Sequence, residues 1–330
     1  MKNNYWLQRN VLVTGATGLL GPYLIKDLID DGAEVTALVR DDIPGSNLFS
    51  FGLDKRISIV RGNLEDYELV LRAINEYEID SIFHLGAQTI VGTSNRSPLS
   101  TFEANIKGTW NICEAARNAS LVESVVVASS DKAYGSQKVL PYDETMPLKG
   151  EHPYDVSKSC ADLISQSYSK TYGLPVCITR CGNFFGGGDL NFSRIIPHTL
   201  RSIIFNKNPV IRSDGKLVRE YFYIKDAAIA YRILAENIKR KNLSGHAFNF
   251  GNEKPLSVIK IVDKMIGLFA KKILVPQIKN ETVNEIRKQY LSCGKAKKLL
   301  KWSHQYTLED GLAETYDWYL NYFRDRDFNV

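Results

Sequence analysis

One short segment constrains this chain more than any other: Gly15-Ala16-Thr17-Gly18-Leu19-Leu20-Gly21. It follows a β-rich run at 11–14 and opens a segment, 19–30, in which Leu20, Leu24, Leu28 and Ile29 recur at helical spacing. A chain that turns from strand to helix over glycines frees backbone N–H groups and lets a pyrophosphate approach the main chain. It also points the positive end of a helix at that anion. Glycines alone mean little. A strand before, a helix after and a second strand at 35–39 make the segment a dinucleotide-binding turn.

The rest of the first half keeps the same rhythm. Short apolar runs at 57–60, 81–85, 124–128 and 176–179 alternate with helical patterns at 67–77, 102–119 and 154–172. Near-continuous apolar strands separated by helices predict a parallel sheet covered on both faces, an α/β fold of the doubly wound kind. Ligands of such sheets sit at the strands' carboxyl ends. Two connections leave from those ends, 86–100 and 131–153, and loops beyond about 12–15 residues are often functional. After Cys181 the pattern changes to a glycine loop at 186–188, helices at 195–205, 227–238, 258–269 and 308–322, and one strand at 247–250. The expected organisation is a cofactor-binding domain over 1–180 and a smaller, mainly helical lobe over 181–330. A segment near 219–250 is expected to return to the first domain.

Composition narrows the function classes. In 330 residues, 42 Lys and Arg against 37 Asp and Glu leave a net charge of +5. That charge lacks the concentrated basic field of a nucleic-acid binder. Lys295, Lys297, Lys298 and Lys301 read as a solvated helix face. No apolar run approaches the roughly 20 residues a membrane-spanning helix needs. Met1-Lys2 before the apolar 11–13 imitates a secretory leader, but Thr14, Gly15, Thr17 and Gly18 break the run. Five cysteines, an odd number without Cys-x-x-Cys spacing, point to reduced thiols in a cytoplasm. Five scattered histidines offer no metal site.

Chemistry enters with a tyrosine and a lysine. Tyr-x-x-x-Lys occurs three times, as Tyr134/Lys138, Tyr154/Lys158 and Tyr221/Lys225. Only Tyr154 follows a proline and opens a clean helix, which Gly173 and Pro175 stop. Residues i and i+4 share a helix face. Lys158 is therefore expected beside Tyr154, lowering the phenol from its usual ~10 toward neutrality and making it a usable base. The second strand ends Arg40-Asp41-Asp42. Arg40 would suit the 2′-phosphate of NADP and Asp41 the ribose hydroxyl of NAD.

Taken in order, these residues resemble the extended short-chain dehydrogenase/reductase family of nucleotide-sugar enzymes over nearly the whole chain. The matching motifs are the glycine turn, Gly62-Asn63-Leu64, His84-Leu85-Gly86-Ala87-Gln88, Asn105 in Asn-Ile-Lys-Gly-Thr, Ser129-Ser130 and Tyr154/Lys158. Arg180-Cys181-Gly182-Asn183 and the run from Arg219 to Asp226 follow. The resemblance implies a Rossmann domain. It implies a cofactor held by Gly15, Thr17, Gly18, Leu19, Gly21, Arg40, Asn63, Leu64, Ala87, Asn105, Tyr154 and Lys158. The family more often carries Asp at position 63, which weakens the adenine contact assigned to Asn63. Ser130 would hydrogen-bond the sugar oxygen beside Tyr154, Lys158 would bind the nicotinamide ribose, and Asn105 would support the catalytic group. Gln88, Asn183 and Arg219 would bind a nucleotide-diphosphate sugar, the arginine fork suiting its diphosphate.

Ser130-Asp131-Lys132 directs the choice of reaction. Within the family, simple epimerases place small or neutral residues after the serine, and 4,6-dehydratases place Asp-Glu. Asp-Lys here, with 182–189, Ile195-Ile196-Pro197 and Pro44…Leu48-Phe49, is similar to CDP-glucose 4,6-dehydratases, which use NAD. The implied reaction oxidises the sugar at C4, loses water across C5–C6 and reduces C6, giving a 4-keto-6-deoxy sugar. Tyr154 would act as base and Asp131 as acid for the departing 6-hydroxyl. Lys132 would take the C5 proton as a neutral amine or stabilise the enolate as a cation. Competing expectations are an NAD-dependent 4-epimerase, an NADP-linked reductase and a non-catalytic dinucleotide sensor. The family resemblance also implies a homodimer or dimer of dimers built on helices 102–119 and 154–172, with Phe102, Ile106 and Trp110 on a stripe.

Overall fold

The computed structural model describes residues 4–281 and 286–326. Met1 and Lys2, weighed above as the start of a leader, lie outside the described residues. A seven-stranded parallel sheet forms the centre. Its strands are β1 (Asn10–Thr14), β2 (Glu34–Val39), β3 (Ser58–Arg61), β4 (Ser81–His84), β5 (Ser124–Ala128), β6 (Val176–Cys181) and β7 (Ala247–Phe250). Their spatial order is β7-β6-β5-β4-β1-β2-β3, so the connectivity reverses between β1 and β4. That reversal opens the crevice where doubly wound sheets bind ligands.

The strands read as apolar runs because both faces are covered. Val11 and Val13 lie in one core and Leu12 in the other. Helix Leu20–Asp30 and helix Ile224–Asn237 cover the first face, helix Tyr67–Glu76 and helix Gly108–Arg117 the second. The chain crosses back after β6: Ile224–Asn237 packs on Leu20–Asp30, and β7 pairs with β6 in parallel register, Ala247 opposite Ile178.

Several expectations are corrected. The connection 86–100 is not a plain loop; it holds helix Val91–Arg96 and the start of Pro98–Phe102. The helix expected from 102 begins at Pro98 and contains a π-helical turn, Glu103–Lys107, before continuing as Gly108–Arg117. The second lobe keeps its expected helices, Ile195–Ile204, Val258–Phe269 and Leu308–Arg324, and sets short strands among them. Asn183–Phe185 pairs with Tyr221–Tyr223, and Val218–Arg219 lies between Leu256–Ser257 and Lys288–Gln289. The basic run is only partly solvated: Lys295 donates to the Ala247 carbonyl and lies over the Phe248 ring. Among the described residues, no helix is long and apolar enough to cross a membrane, and no three His, Cys, Asp or Glu gather as a metal site.

Candidate active site

A cavity of about 1180 Å³ runs along the carboxyl ends of the sheet and into the second lobe. Of the residues expected there, Gly15, Thr17, Gly18, Leu19, Gly21, Arg40, Leu64, Ala87 and Gln88 line its cofactor side. Ser130, Asp131, Lys132, Tyr154, Lys158, Asn183 and Arg219 line the remainder.

The glycine turn is fixed by close packing. Gly15 has φ +70°, and a Cβ there would stand 2.8 Å from the Gly86 nitrogen. Helix Leu20–Asp30 starts without a side-chain cap, so its first N–H groups face the cavity end as donors for an anion. Behind the turn, the Thr14 hydroxyl oxygen accepts from Gly86 N–H at 2.9 Å and lies 2.9 Å from Nδ1 of His84. Nε2 of His84 lies 3.0 Å from Thr109 Oγ1, which itself donates to the Asn105 carbonyl. One assignment satisfies this chain: His84 donates through Nε2 and accepts at Nδ1, as a neutral ring. Burial, aided by the Lys158 charge, pushes its pKa down to about 3. His84, quoted above only as part of a motif, is thus the strut between turn and helix.

Asn105 does not line the cavity, contrary to its expected cofactor contact. Held in the π-turn, its side chain accepts from Gln88 N–H at 2.7 Å and donates to the Gln88 carbonyl at 3.0 Å and to Ser157 Oγ at 2.9 Å. Ser157 in turn donates to the Tyr154 carbonyl. Asn105 therefore ties the wall at Gln88 to the first turn of the tyrosine helix. Asn63 is exposed and is not among the residues that line the cavity, whereas its neighbours Gly62 and Leu64 are.

Helix Pro153–Tyr172 starts on Pro153 and ends on Gly173 at φ +70°. Tyr154 and Lys158 share its cavity face, but the expected pairing is absent. Lys158 Nζ donates to the Ala128 carbonyl at 2.7 Å, and burial pushes the amine down to about 8. Tyr154 is pushed up to about 12, not down: burial dominates, and the hydrogen bond with Ser130 offsets only part of it.

Ser130, two residues beyond β5, is extended and caps the short 3-10 turn Asp131–Tyr134, accepting from Lys132 N–H at 3.2 Å. Its hydroxyl also donates to Asp131 Oδ1 at 3.1 Å. Burial lifts Asp131 to about 6 against the pull of Lys132, Ser130 and Arg219. The turn is braced from behind. Arg180 forms a buried ion pair with Asp162 at 2.7 Å and donates to Tyr134 Oη, which donates to Asn249 Oδ1. Sequence spacing held no signal for this brace.

At the far end, Arg40 and Asp41 are both exposed and pair at 2.6 Å. Arg219 and Asn183 face the second lobe's part of the cavity, Asn183 Nδ2 donating to the Glu220 carbonyl at 3.2 Å. The site thus joins an anion cradle, a buried phenol with a hydroxyl partner, an acid titrating near 6 and an arginine. The uncapped helix start and glycine cradle fit a dinucleotide diphosphate.

Comparison with known proteins agrees with this geometry. A family model described as GDP-mannose 4,6 dehydratase matches residues 12–315. The CDP-glucose 4,6-dehydratase of Salmonella typhimurium is 28% identical over 99% of this chain and 95% of its own. A dTDP-glucose 4,6-dehydratase from Bacillus anthracis, solved in complex with NAD, superposes with a TM-score of 0.83 at 25% identity, covering 96% of this chain and 98% of that one. A UDP-glucose 4-epimerase from Thermotoga maritima, solved with UDP-glucose, reaches 0.84 at 25% identity over 95% and 99%. The expected short-chain dehydrogenase/reductase resemblance holds, and the chain belongs to the GDP-mannose 4,6-dehydratase family of nucleotide-sugar enzymes.

Proposed function

We propose that this protein is an NAD-dependent nucleotide-sugar 4,6-dehydratase with CDP-glucose as its substrate. The observation that carries the reading is Asp131: a buried carboxyl, titrating near 6, on the same cavity wall as Tyr154 and bonded to the same serine. An epimerase has no use for an acid there. A dehydratase needs one to protonate a departing hydroxyl.

Gly15, Thr17, Gly18 and Leu19 would cradle the cofactor's pyrophosphate, and Lys158, anchored on Ala128, would hold a ribose hydroxyl. Bound NAD supplies reversible two-electron oxidation, first at the sugar C4 and then in reverse at C6. Tyr154 Oη, ionised once the positive charge of bound NAD beside it offsets its burial, would take the proton of the 4-hydroxyl while Ser130 Oγ holds the same sugar oxygen. The resulting ketone acidifies the C5 proton, and Asp131 protonates the 6-hydroxyl as it leaves as water. Lys132 lines the cavity beside Asp131, where it would receive the C5 proton and return it to C5 as the hydride reaches C6. Arg219 and Asn183 hold the diphosphate. Pairing with Asp41 compensates the Arg40 charge, which supports NAD over NADP.

Five free thiols support a reducing cytoplasm. Leu99 at 71%, Trp110 at 42% and Leu163 at 55% exposure lie on helical segments Pro98–Phe102, Gly108–Arg117 and Pro153–Tyr172 and support self-association as a homodimer. The test is mass spectrometry of products from CDP-, UDP-, GDP- and dTDP-glucose, with the retained cofactor identified after denaturation. The reading expects a CDP product lighter by one water and released NAD. A product of unchanged mass makes the protein an epimerase, and stoichiometric consumption of reduced cofactor makes it a reductase.

A further inference from the structure

Arg219 and Tyr221 line the cavity, and Glu220, which joins the strand ending at Arg219 to the strand beginning at Tyr221, does not. Glu220 is 1% exposed. Its Oε1 accepts from the backbone N–H of Glu253, and its Oε2 from that of Leu291 at 3.1 Å. Room for the carboxylate comes from Gly251, where a Cβ would lie 2.3 Å from Oε1. A buried carboxylate spent on two main-chain donors, with no catalytic contact, is costly unless those donors need to be held.

What they hold is the catalytic loop. Leu291 bridges to Tyr142, whose N–H donates to the Tyr290 carbonyl at 2.9 Å and whose carbonyl accepts from Ser292 N–H at 2.8 Å. Tyr142 Oη accepts from Gln137 N–H, and Gln137 Nε2 donates to the Tyr134 carbonyl at 2.6 Å, at the end of the turn that begins with Asp131. On the other side, Glu253 Oε1 accepts from Cys293 N–H at 2.9 Å, closing the 251–253 and 291–293 segments onto each other.

We propose that Glu220 is a positioning residue that couples Arg219 on the substrate wall to the catalytic loop 131–146, through the backbone of Leu291 and Glu253. The inference deepens the function proposed above and rests on it for the identity of the substrate. As a carboxylate, Glu220 accepts from both amides; once protonated, one oxygen becomes a donor and releases an amide. The titratable groups facing it are the carboxyls of Asp131 and Glu253 and the thiols Cys181 and Cys293 at its flanks. Burial dominates among its causes and lifts the carboxyl to about 7, so the clasp loosens as pH falls through that value.

The experiment compares wild type, Glu220→Gln and Gly251→Ala as full-length proteins. Equilibrium binding of CDP-glucose, equilibrium binding of NAD and amide hydrogen exchange over 131–146 and 288–293 are measured from about pH 8 to about pH 6. Loss of one hydrogen bond to a charged acceptor predicts roughly tenfold weaker nucleotide-sugar binding in both variants, with NAD affinity unchanged. The wild type should lose sugar affinity on acidification, whereas Glu220→Gln should be flat across that range. Exchange should quicken at Leu291 and Tyr142 in Glu220→Gln. Asp131→Asn, which leaves the clasp intact but removes a negative charge that helps to raise Glu220, should keep the loss of sugar affinity on acidification with its midpoint shifted to lower pH. Quickened exchange with unchanged sugar affinity makes Glu220 merely structural and overturns the proposal, as does unchanged exchange. If the wild type binds no nucleotide sugar, the function proposed above falls, and the exchange measurement still decides whether Glu220 couples the two segments.

Discussion

Lys158 donates its ammonium proton to the Ala128 carbonyl at 2.7 Å, at the end of β5, and not to Tyr154 one helical turn earlier. The lysine is thereby fixed across the mouth of the sheet, and the phenol keeps Ser130 as its partner. The two residues should fail differently. Tyr154→Phe should lower turnover by about 10²–10⁴-fold while leaving cofactor affinity intact. Lys158→Met should weaken cofactor binding as well as turnover. Fluorescence titration with NAD beside steady-state kinetics separates them. Unaltered NAD affinity in Lys158→Met would remove it from the ribose contact.

Asp131 is assigned as the acid for water loss, so replacing it should stall the reaction after its first oxidation. Asp131→Asn should lower dehydration by about 10²–10⁴-fold. Absorbance of reduced cofactor should build up on adding substrate, where wild type shows little. The acid works protonated, and its pKa is about 6. The wild-type rate should therefore fall as pH rises through that value, and the variant's profile should lack this limb. A variant that turns over normally would refute the assignment.

His84 governs acid stability. Its folded-state pKa is held near 3 by burial, against 6.5 for an ordinary histidine. Its contribution is whole above pH 6.5 and is lost as pH falls toward 3, because the unfolded chain takes a proton that the folded one refuses. The slope is about 1.4 kcal/mol per pH unit within that window. Urea unfolding of His84→Gln from about pH 8 to about pH 5 should show lower stability at neutral pH but a flatter acid decline. An unchanged slope would mean that the ring is not buried as a neutral strut.

Gly15 carries both a positive φ and a close approach to Gly86. Gly15→Ala should cost about 1–3 kcal/mol of stability, because the strained backbone and the collision with main chain add. NAD affinity should drop with it. Calorimetric binding and thermal melting check the two effects, and an alanine variant that binds NAD normally would remove this turn from the cradle.

The parallel sheet was legible because its strands are buried on both faces. Val125, Val126 and Val127 are all fully buried, so the run is continuous and bounded by polar residues. The tyrosine helix was legible from Pro153 and Gly173, whose backbone preferences act locally. Features set by distant partners were not. The π-turn Glu103–Lys107 carries ordinary helix formers; Asn105 bonds there to Gln88 and Ser157, far away in sequence. Spacing of four put Lys158 on the face of Tyr154, but the ammonium went to a carbonyl 30 residues earlier. The two- and three-residue strands at Val218–Arg219 and Tyr221–Tyr223 pair only across the lobe, so no local pattern marks them. Glu220 carries no local signal, because its importance lies in two backbone amides that no sequence spacing relates to it.

The most direct measurement of the central claim uses CDP-glucose carrying deuterium at C4, incubated with purified protein in ordinary water. The account predicts a 4-keto-6-deoxy product lighter than its substrate by one water, with the deuterium now at C6 and none released to solvent. A product of the same mass as the substrate, or one with deuterium lost or still at C4, would contradict it.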